Sequence, residues 1–284
     1  MVDRHSSVEE PELIEDPELR ALAEARNALR QFDIGMLLLD HWLDRSESGV
    51  NLKISDLLTL NRFALEDVNK LAGTFRTQPI NISGSKHQPP IARQVPKLCE
   101  DFCDYINENW QKKSALHLSA YALWRINWIH PFVDGNGRTA RIVSYVILCA
   151  KFGFRLPGTK TIPEQIAGNK EPYYATLEQA DSAFDNGVID VGAIENLIEA
   201  SLRIQLQDAV KNKGATQEKG GIIRAVQEGE LLTQEIPSRE NIMLTLHIKN
   251  EENTKNFIER NPVLFGGVFS LLAAIIGFAL GKIV

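Results

Sequence analysis

His130-Pro131-Phe132-Val133-Asp134-Gly135-Asn136-Gly137-Arg138-Thr139-Ala140-Arg141 is the stretch from which the rest of the chain is read. Gly135 and Gly137 bracket Asn136 just ahead of an apolar run that reads as a helix over about 137–152, with Gly153 as its stop. Glycines let the backbone turn sharply and bring N–H groups close to an anion. The helix that follows aims its first N–H groups and the positive end of its dipole at the same spot, which makes a phosphate cradle. Arg138 and Arg141 are three apart on one face of the first turn, and their guanidinium forks suit further phosphate oxygens. Asp134 supplies the hard carboxylate oxygen that Mg²⁺ takes when it is shared with substrate phosphates. An imidazole such as His130, with an ordinary pKa near ~6.5, can take a proton from an attacking hydroxyl. Each piece alone is a weak signal: a G-x-G before a helix is usually a cap, and a lone His or Arg is usually structural or solvated. Together they imply transfer of a nucleotide from a Mg²⁺-bound triphosphate onto a hydroxyl. Phe132 is read as an apolar pin that holds the loop to the core.

The flanks of this stretch are helical. Apolar residues recur at helical spacing over 17–43, as one helix or a broken pair, and again over 53–72 up to Gly73. Residues 73–96 change character, with Pro79-Ile80-Asn81-Ile82 alternating ahead of Ser83-Gly84-Ser85, which predicts a small hairpin or extended flap between helices. Helices are predicted over about 95–109, 114–129, 162–184 and 190–212. Residues 1–19 form an acidic, loose segment, 20–212 the catalytic domain and 213–261 a polar stalk. The fold class expected is all-α, a helical bundle with a β-hairpin flap.

The chain carries a net charge of −6, which argues against a nucleic-acid partner. Cys99, Cys103 and Cys149 are odd in number and lack the neighbours of a zinc site, so they read as small core residues in a reducing compartment. The opening MVDRHSSVEEPELIEDPELR has no apolar core of signal-peptide type. Val263–Gly281, in contrast, has no charged residue over 19 positions. As a helix it would be ~28 Å long, about the thickness of a bilayer core. Residues 262–284 are therefore expected to be a single-pass C-terminal transmembrane helix, with the catalytic domain on the cytoplasmic side, where ATP and Mg²⁺ are available.

The stretch 130–141 matches the Fic signature H-x-F-x-[DE]-G-N-G-R-x-x-R at every fixed position, and residues 20–212 resemble a Fic domain. Ala72-Gly73-Thr74-Phe75-Arg76 resembles the lead into that family's flap, and Tyr173-Tyr174 resembles its paired tyrosines near the base pocket. The resemblance implies a protein adenylyltransferase that moves AMP from Mg²⁺-ATP to a Ser, Thr or Tyr hydroxyl of a target protein. It implies His130 as general base and Asp134 as the Mg²⁺ ligand. It implies phosphate binding by the Gly135–Gly137 backbone and the Asn136 side chain, with Arg138 on the β-phosphate and Arg141 on the γ-phosphate. It implies a target-docking flap that includes Ile82, Ser83, Gly84 and Ser85, pairing with a target segment by strand addition.

Many family members carry an inhibitory helix marked [ST]-x-x-x-E-[GN]. No clean copy is present: Ser6-x-x-x-Glu10 runs into Pro11, and Arg20-x-x-x-Glu24-Ala25 has neither flanking residue right. The protein is therefore expected to act without activation, unless a separate inhibitory partner protein supplies the restraint. Two alternatives share the sequence. One is the same scaffold removing AMP, or transferring UMP, phosphate or phosphocholine. The other is a non-catalytic membrane-anchored adaptor.

Overall fold

The computed structural model describes residues 6–7, 13–44 and 50–216. Within them the chain forms eight α-helices and two short strands. The first helix, α1 (Pro17–Asp44), starts where Pro17 loses nothing by lacking an N–H, and the Asp16 carboxylate accepts from the N–H groups of Glu18 and Leu19 at 2.9 Å each. It is one unbroken helix. Its buried stripe runs Ala23, Asn27, Gln31, Gly35, Met36, Leu39, Trp42. Gly35 sits where α1 meets Ile142, and a Cβ there would come within 2.7 Å of the isoleucine side chain.

Helix α2 (Ile54–Leu65) stops seven residues short of the expected limit of 72. Side chains from elsewhere take its last carbonyls. Gln31 donates to the Leu60 oxygen at 3.0 Å and Asn27 to the Glu66 oxygen at 2.6 Å. Asp67 then takes a positive φ of 62° and the chain turns away. Helices α3 (Val95–Glu108) and α4 (Ala115–Ile129) fall where helical spacing placed them. So does α5 (Asn136–Phe152), which a left-handed Gly153 ends. Helices α4 and α5 form the centre: eleven of the fifteen residues of α4 are buried, and Ser119 and Ser144 join the pair by a 2.8 Å hydroxyl contact.

The helix expected over 162–184 is two, α6 (Ile162–Gly168) and α7 (Lys170–Asp185). Pro172 explains the break, because proline is tolerated in a helix's first turn and not in its interior. Helix α8 (Gly192–Thr216) runs past the expected limit of 212. Cys99, Cys103 and Cys149 are buried and form no disulfide among the described residues, and burial raises the thiol pKa of Cys99 and Cys103 to about 12.

The flap is not a hairpin. Its strand β2 (Asn81–Ile82) pairs antiparallel with β1 (Ser6–Ser7), a piece of the N-terminal segment expected to be loose. Ser83 and Gly84 form the turn, closed by the Ser85 N–H donating to the Ile82 carbonyl at 3.1 Å.

Contacts divide the chain into two units. The first comprises residues 1–155 and 162–201 and contains everything so far described except the end of α8. In the second, Asp208 accepts from the Thr159 N–H at 2.8 Å and from its hydroxyl at 2.7 Å. The expected transmembrane span at 263–281 lies outside the described residues, and among those residues no helix is long and apolar enough to cross a membrane.

Candidate active site

The end of α4 and the start of α5 build the site. His130 caps α4 in the left-handed conformation (φ 50°), with its N–H on the Ile126 carbonyl at 2.9 Å. A histidine tolerates this backbone poorly, and the loop after it holds it there. Its ring Nδ1 lies 3.2 Å from the Asn127 carbonyl. A carbonyl only accepts, so the neutral ring carries its proton on Nδ1 and Nε2 is its acceptor nitrogen. Burial pushes the His130 pKa down to about 4; the bond to Asn127 opposes this, and the nearby Arg76 charge adds to it.

Asn136 staples the loop. Its side-chain oxygen accepts from the Phe132 N–H at 2.9 Å and its amide donates to the Phe132 carbonyl at 2.8 Å. The residue is 2% exposed and lines the cleft, and both ends of its side chain bond the loop. Phe132 is buried against Phe75, as a pin should be.

Gly135, at φ 75°, starts α5, and a Cβ there would lie 2.9 Å from the Asn61 amide. That same amide donates to the Asp134 carbonyl at 3.0 Å, so α2 holds the loop from the other side. The first intrahelical bond is Thr139 N–H to the Gly135 carbonyl, which leaves the N–H groups before it without helical acceptors.

These groups open into a cleft of about 740 Å³, ample for a nucleotide. His130, Asp134, Gly135, Gly137, Arg138 and Arg141 all line it. Asp134 accepts from Arg138 at 3.0 Å. The Gly137 Cα faces Arg141, whose guanidinium would be 3.4 Å from an added Cβ. Tyr173 and Tyr174 lie on the far wall. Tyr173 is 1% exposed, and its hydroxyl accepts from the Asn127 amide at 2.7 Å, so it braces the turn that carries His130. Of the flap residues, Ile82 and Ser85 line the cleft, and Ser83 and Gly84 are not part of its lining.

Three groups at the site were not read from sequence as site residues. Glu24 and Arg20 of α1 line the cleft; their side chains pair at 3.2 Å, and the Glu24 carboxylate comes to 4.0 Å from Arg138. Glu24 lacks the flanking residues of the inhibitory motif, yet the fold carries its carboxylate to Arg138. Arg76 is buried and gives its guanidinium to four carbonyls: His130 at 2.7 Å, Ile129 at 3.3 Å, Gln78 at 3.2 Å and Pro90 at 2.5 Å. His87 lies 2.8 Å from the Trp128 carbonyl through Nε2 and 3.9 Å from Asp181 through Nδ1. A lone Arg or His in a flap carries no pattern that singles it out.

Residues 51–148 match the profile of the Fic/DOC family. A protein adenylyltransferase Fic of Drosophila willistoni is 32% identical over 120 residues, covering 40% of this chain and 23% of that protein. Its Drosophila melanogaster counterpart is also 32% identical over 120 residues, with 40% and 24% covered. The chain thus spans about a quarter of the length of the curated relatives it matches. Among solved structures, a Fic-1 fragment from C. elegans aligns with a TM-score of 0.54 at 21% identity over 72% of this chain and 55% of that one. A Fic domain containing signaling protein from Bacteroides thetaiotaomicron aligns at 0.52 and 19% identity, over 70% and 76%. At these identities the likeness shows a shared fold.

Proposed function

We propose, from the premise that this chain carries a Fic/DOC-family domain, that it is a protein adenylyltransferase acting from Mg²⁺-bound ATP on a Ser, Thr or Tyr hydroxyl of a target protein. One observation supports this most. A ring whose Nδ1 proton is held by the Asn127 carbonyl shares a cleft with the N-terminus of α5 and with Arg138 and Arg141. A hydroxyl placed there gives its proton to His130 Nε2 as its oxygen bonds to the α-phosphorus. The bond from the α-phosphorus to the bridging β-phosphate oxygen breaks, and pyrophosphate leaves. The first N–H groups of α5 hold phosphate oxygens, Arg138 steadies the β-phosphate and Arg141 grips the γ-phosphate. Tyr173 and Tyr174 bound the adenine side, and Ile82 to Ser85 dock the target.

Asp134 would hold the metal. Among the described residues no group of three or more His, Cys, Asp or Glu is placed to hold a cation by itself, while the Asp134 carboxylate is 35% exposed in the cleft. A single carboxylate completed by substrate phosphates is the mode of Mg²⁺. When bound it neutralises phosphate charge. Asp134 must exchange its bond to Arg138 to take part.

The test is incubation of the full chain with α-labelled ATP or UTP, Mg²⁺ and cell lysate, beside His130→Ala. Label from ATP on proteins, cut by ~10²–10⁴-fold in the variant, is expected. Label from UTP instead, or loss of AMP from pre-modified protein, would move the reading to the alternative outcomes of the same scaffold.

A membrane anchor is proposed for residues 263–281, with the domain on the cytoplasmic side. Its support is the uncharged length of that segment.

A further inference from the structure

We propose that the outer face of α1 is the interface of a twofold dimer of this chain, in which two copies of the helix pack antiparallel. Four leucines mark the face. Leu19, Leu22, Leu29 and Leu37 are 59%, 69%, 72% and 61% exposed. Single exposed leucines are ordinary on a protein surface. These four recur at steps that keep them on one side of a helix. At ~100° per residue, that side lies roughly half a turn from the stripe of Ala23, Asn27, Gln31 and Gly35 that α1 buries. Arg20 and Glu24, which line the cleft, stand with the buried stripe, so a partner on the outer face leaves the cleft open.

The charges between the leucines select the occupant. Leu22, Arg26, Leu29, Asp33 and Leu37 follow one another at steps of three or four, the spacing of a helix seam. Arg26 lies four residues after Leu22, and Asp33 lies four before Leu37. Set Leu22 of one copy opposite Leu37 of a second, antiparallel copy, and Arg26 stands opposite Asp33 of that copy. The twofold axis repeats both contacts, giving two apolar pairs and two ion pairs, and the two copies of Leu29 meet at the axis. A parallel pairing would instead set Arg26 against Arg26 and Asp33 against Asp33. The face is thus complementary to itself in one orientation only.

Both charged side chains can take part. Asp33 is exposed and has no ion pair among the described residues. Arg26 holds Asp67 at 3.2 Å, but the two side chains are 52% and 70% exposed, so water screens the pair and it exchanges readily. An anionic bilayer surface is a poorer occupant, because Glu18, Asp33, Asp40 and Asp44 are exposed along the same side.

Sedimentation equilibrium of the full chain in density-matched non-ionic detergent tests the pairing, which stands apart from the transfer reading. The wild type should dimerise. Arg26→Asp and Asp33→Arg should each weaken self-association by ~10-fold or more, since each sets like charges face to face. Mixing the two variants should restore dimers, because each supplies the charge that the other lacks. On oxidation, Leu22→Cys/Leu37→Cys should form an interchain disulfide that Leu22→Cys alone does not; the three native cysteines are buried. A monomeric wild type overturns the proposal. So does a dimer that both charge variants leave intact, which would place the contact elsewhere, the apolar segment 263–281 included. Failure of the mixture to associate, or a disulfide in Leu22→Cys alone, overturns the antiparallel pairing.

Discussion

At the scale of single residues, burial and one neighbouring charge set the chemistry. Burial strips the His130 ring of water, so its charged form is disfavoured and its pKa falls to about 4, the Asn127 carbonyl at Nδ1 opposing the fall without cancelling it. The sign follows directly. A lowered pKa keeps the ring neutral, and able to accept a proton, at every pH above that value. An NMR titration of His130 in the nucleotide-free protein should show a midpoint well below the ~6.5 of a free imidazole. A midpoint near 6.5 would contradict the buried geometry. Glu24 makes the opposite kind of case. Its carboxylate stands beside Arg20 and Arg138, where a substrate phosphate would compete for the same cations. Removing it frees them, so Glu24→Gly should raise ATP affinity several-fold, about 1 kcal/mol for one partly exposed pair. Calorimetric titration decides it. This reverses the expectation drawn from the motif alone, that Glu24 is inert; unchanged affinity would restore that expectation.

At the scale of elements, the flap owes its position to a side chain outside it. Arg76 gives hydrogen bonds to carbonyls on both sides of the gap between the flap and the His130 loop, and it is 2% exposed. Bonds from a charged donor are worth ~1.5–3 kcal/mol each, and orphaned buried carbonyls add a desolvation cost. Arg76→Met keeps much of the side chain's bulk and removes every donor. It should lower stability by about 3 kcal/mol or more in urea unfolding. It should also speed hydrogen exchange across 78–90 more than in α3. A loss confined to activity, with stability unchanged, would show that the flap is held by other means. The same scale explains where helix ends were legible. Gly153 marks a boundary by its own backbone limits, whereas the break ahead of Pro172 is passed over when 162–184 is read as one helix. The end of α2 was not legible, because Gln31 and Asn27 act on it from another helix.

At the scale of the whole molecule, the first unit is a helical scaffold that carries the cleft, and the proposed anchor at 263–281 would tie the chain to a bilayer. Full-length protein should pellet with membranes and resist carbonate and high salt, while a chain ending at residue 255 should remain in the supernatant. Full-length protein wholly in the supernatant would remove the anchor. The sequence by itself determined the helical class, most helix positions and the loop from His130 to Arg141, because periodicity, glycine and proline act within a few residues of chain. It also determined that Gly135 and Gly137 stand at the start of α5, the arrangement on which the proposed phosphate cradle rests, since two glycines and the following helix are contiguous. Tertiary structure alone decided four matters: the Asn136 side chain turned inward to Phe132, Glu24 brought to Arg138, the flap clamped by Arg76, and Ser6–Ser7 laid along Asn81–Ile82. Each joins groups whose meeting depends on how helices and loops pack, or, for Asn136, on the exact path of a turn. No spacing rule encodes such contacts, because burial and orientation exist only once the chain has folded.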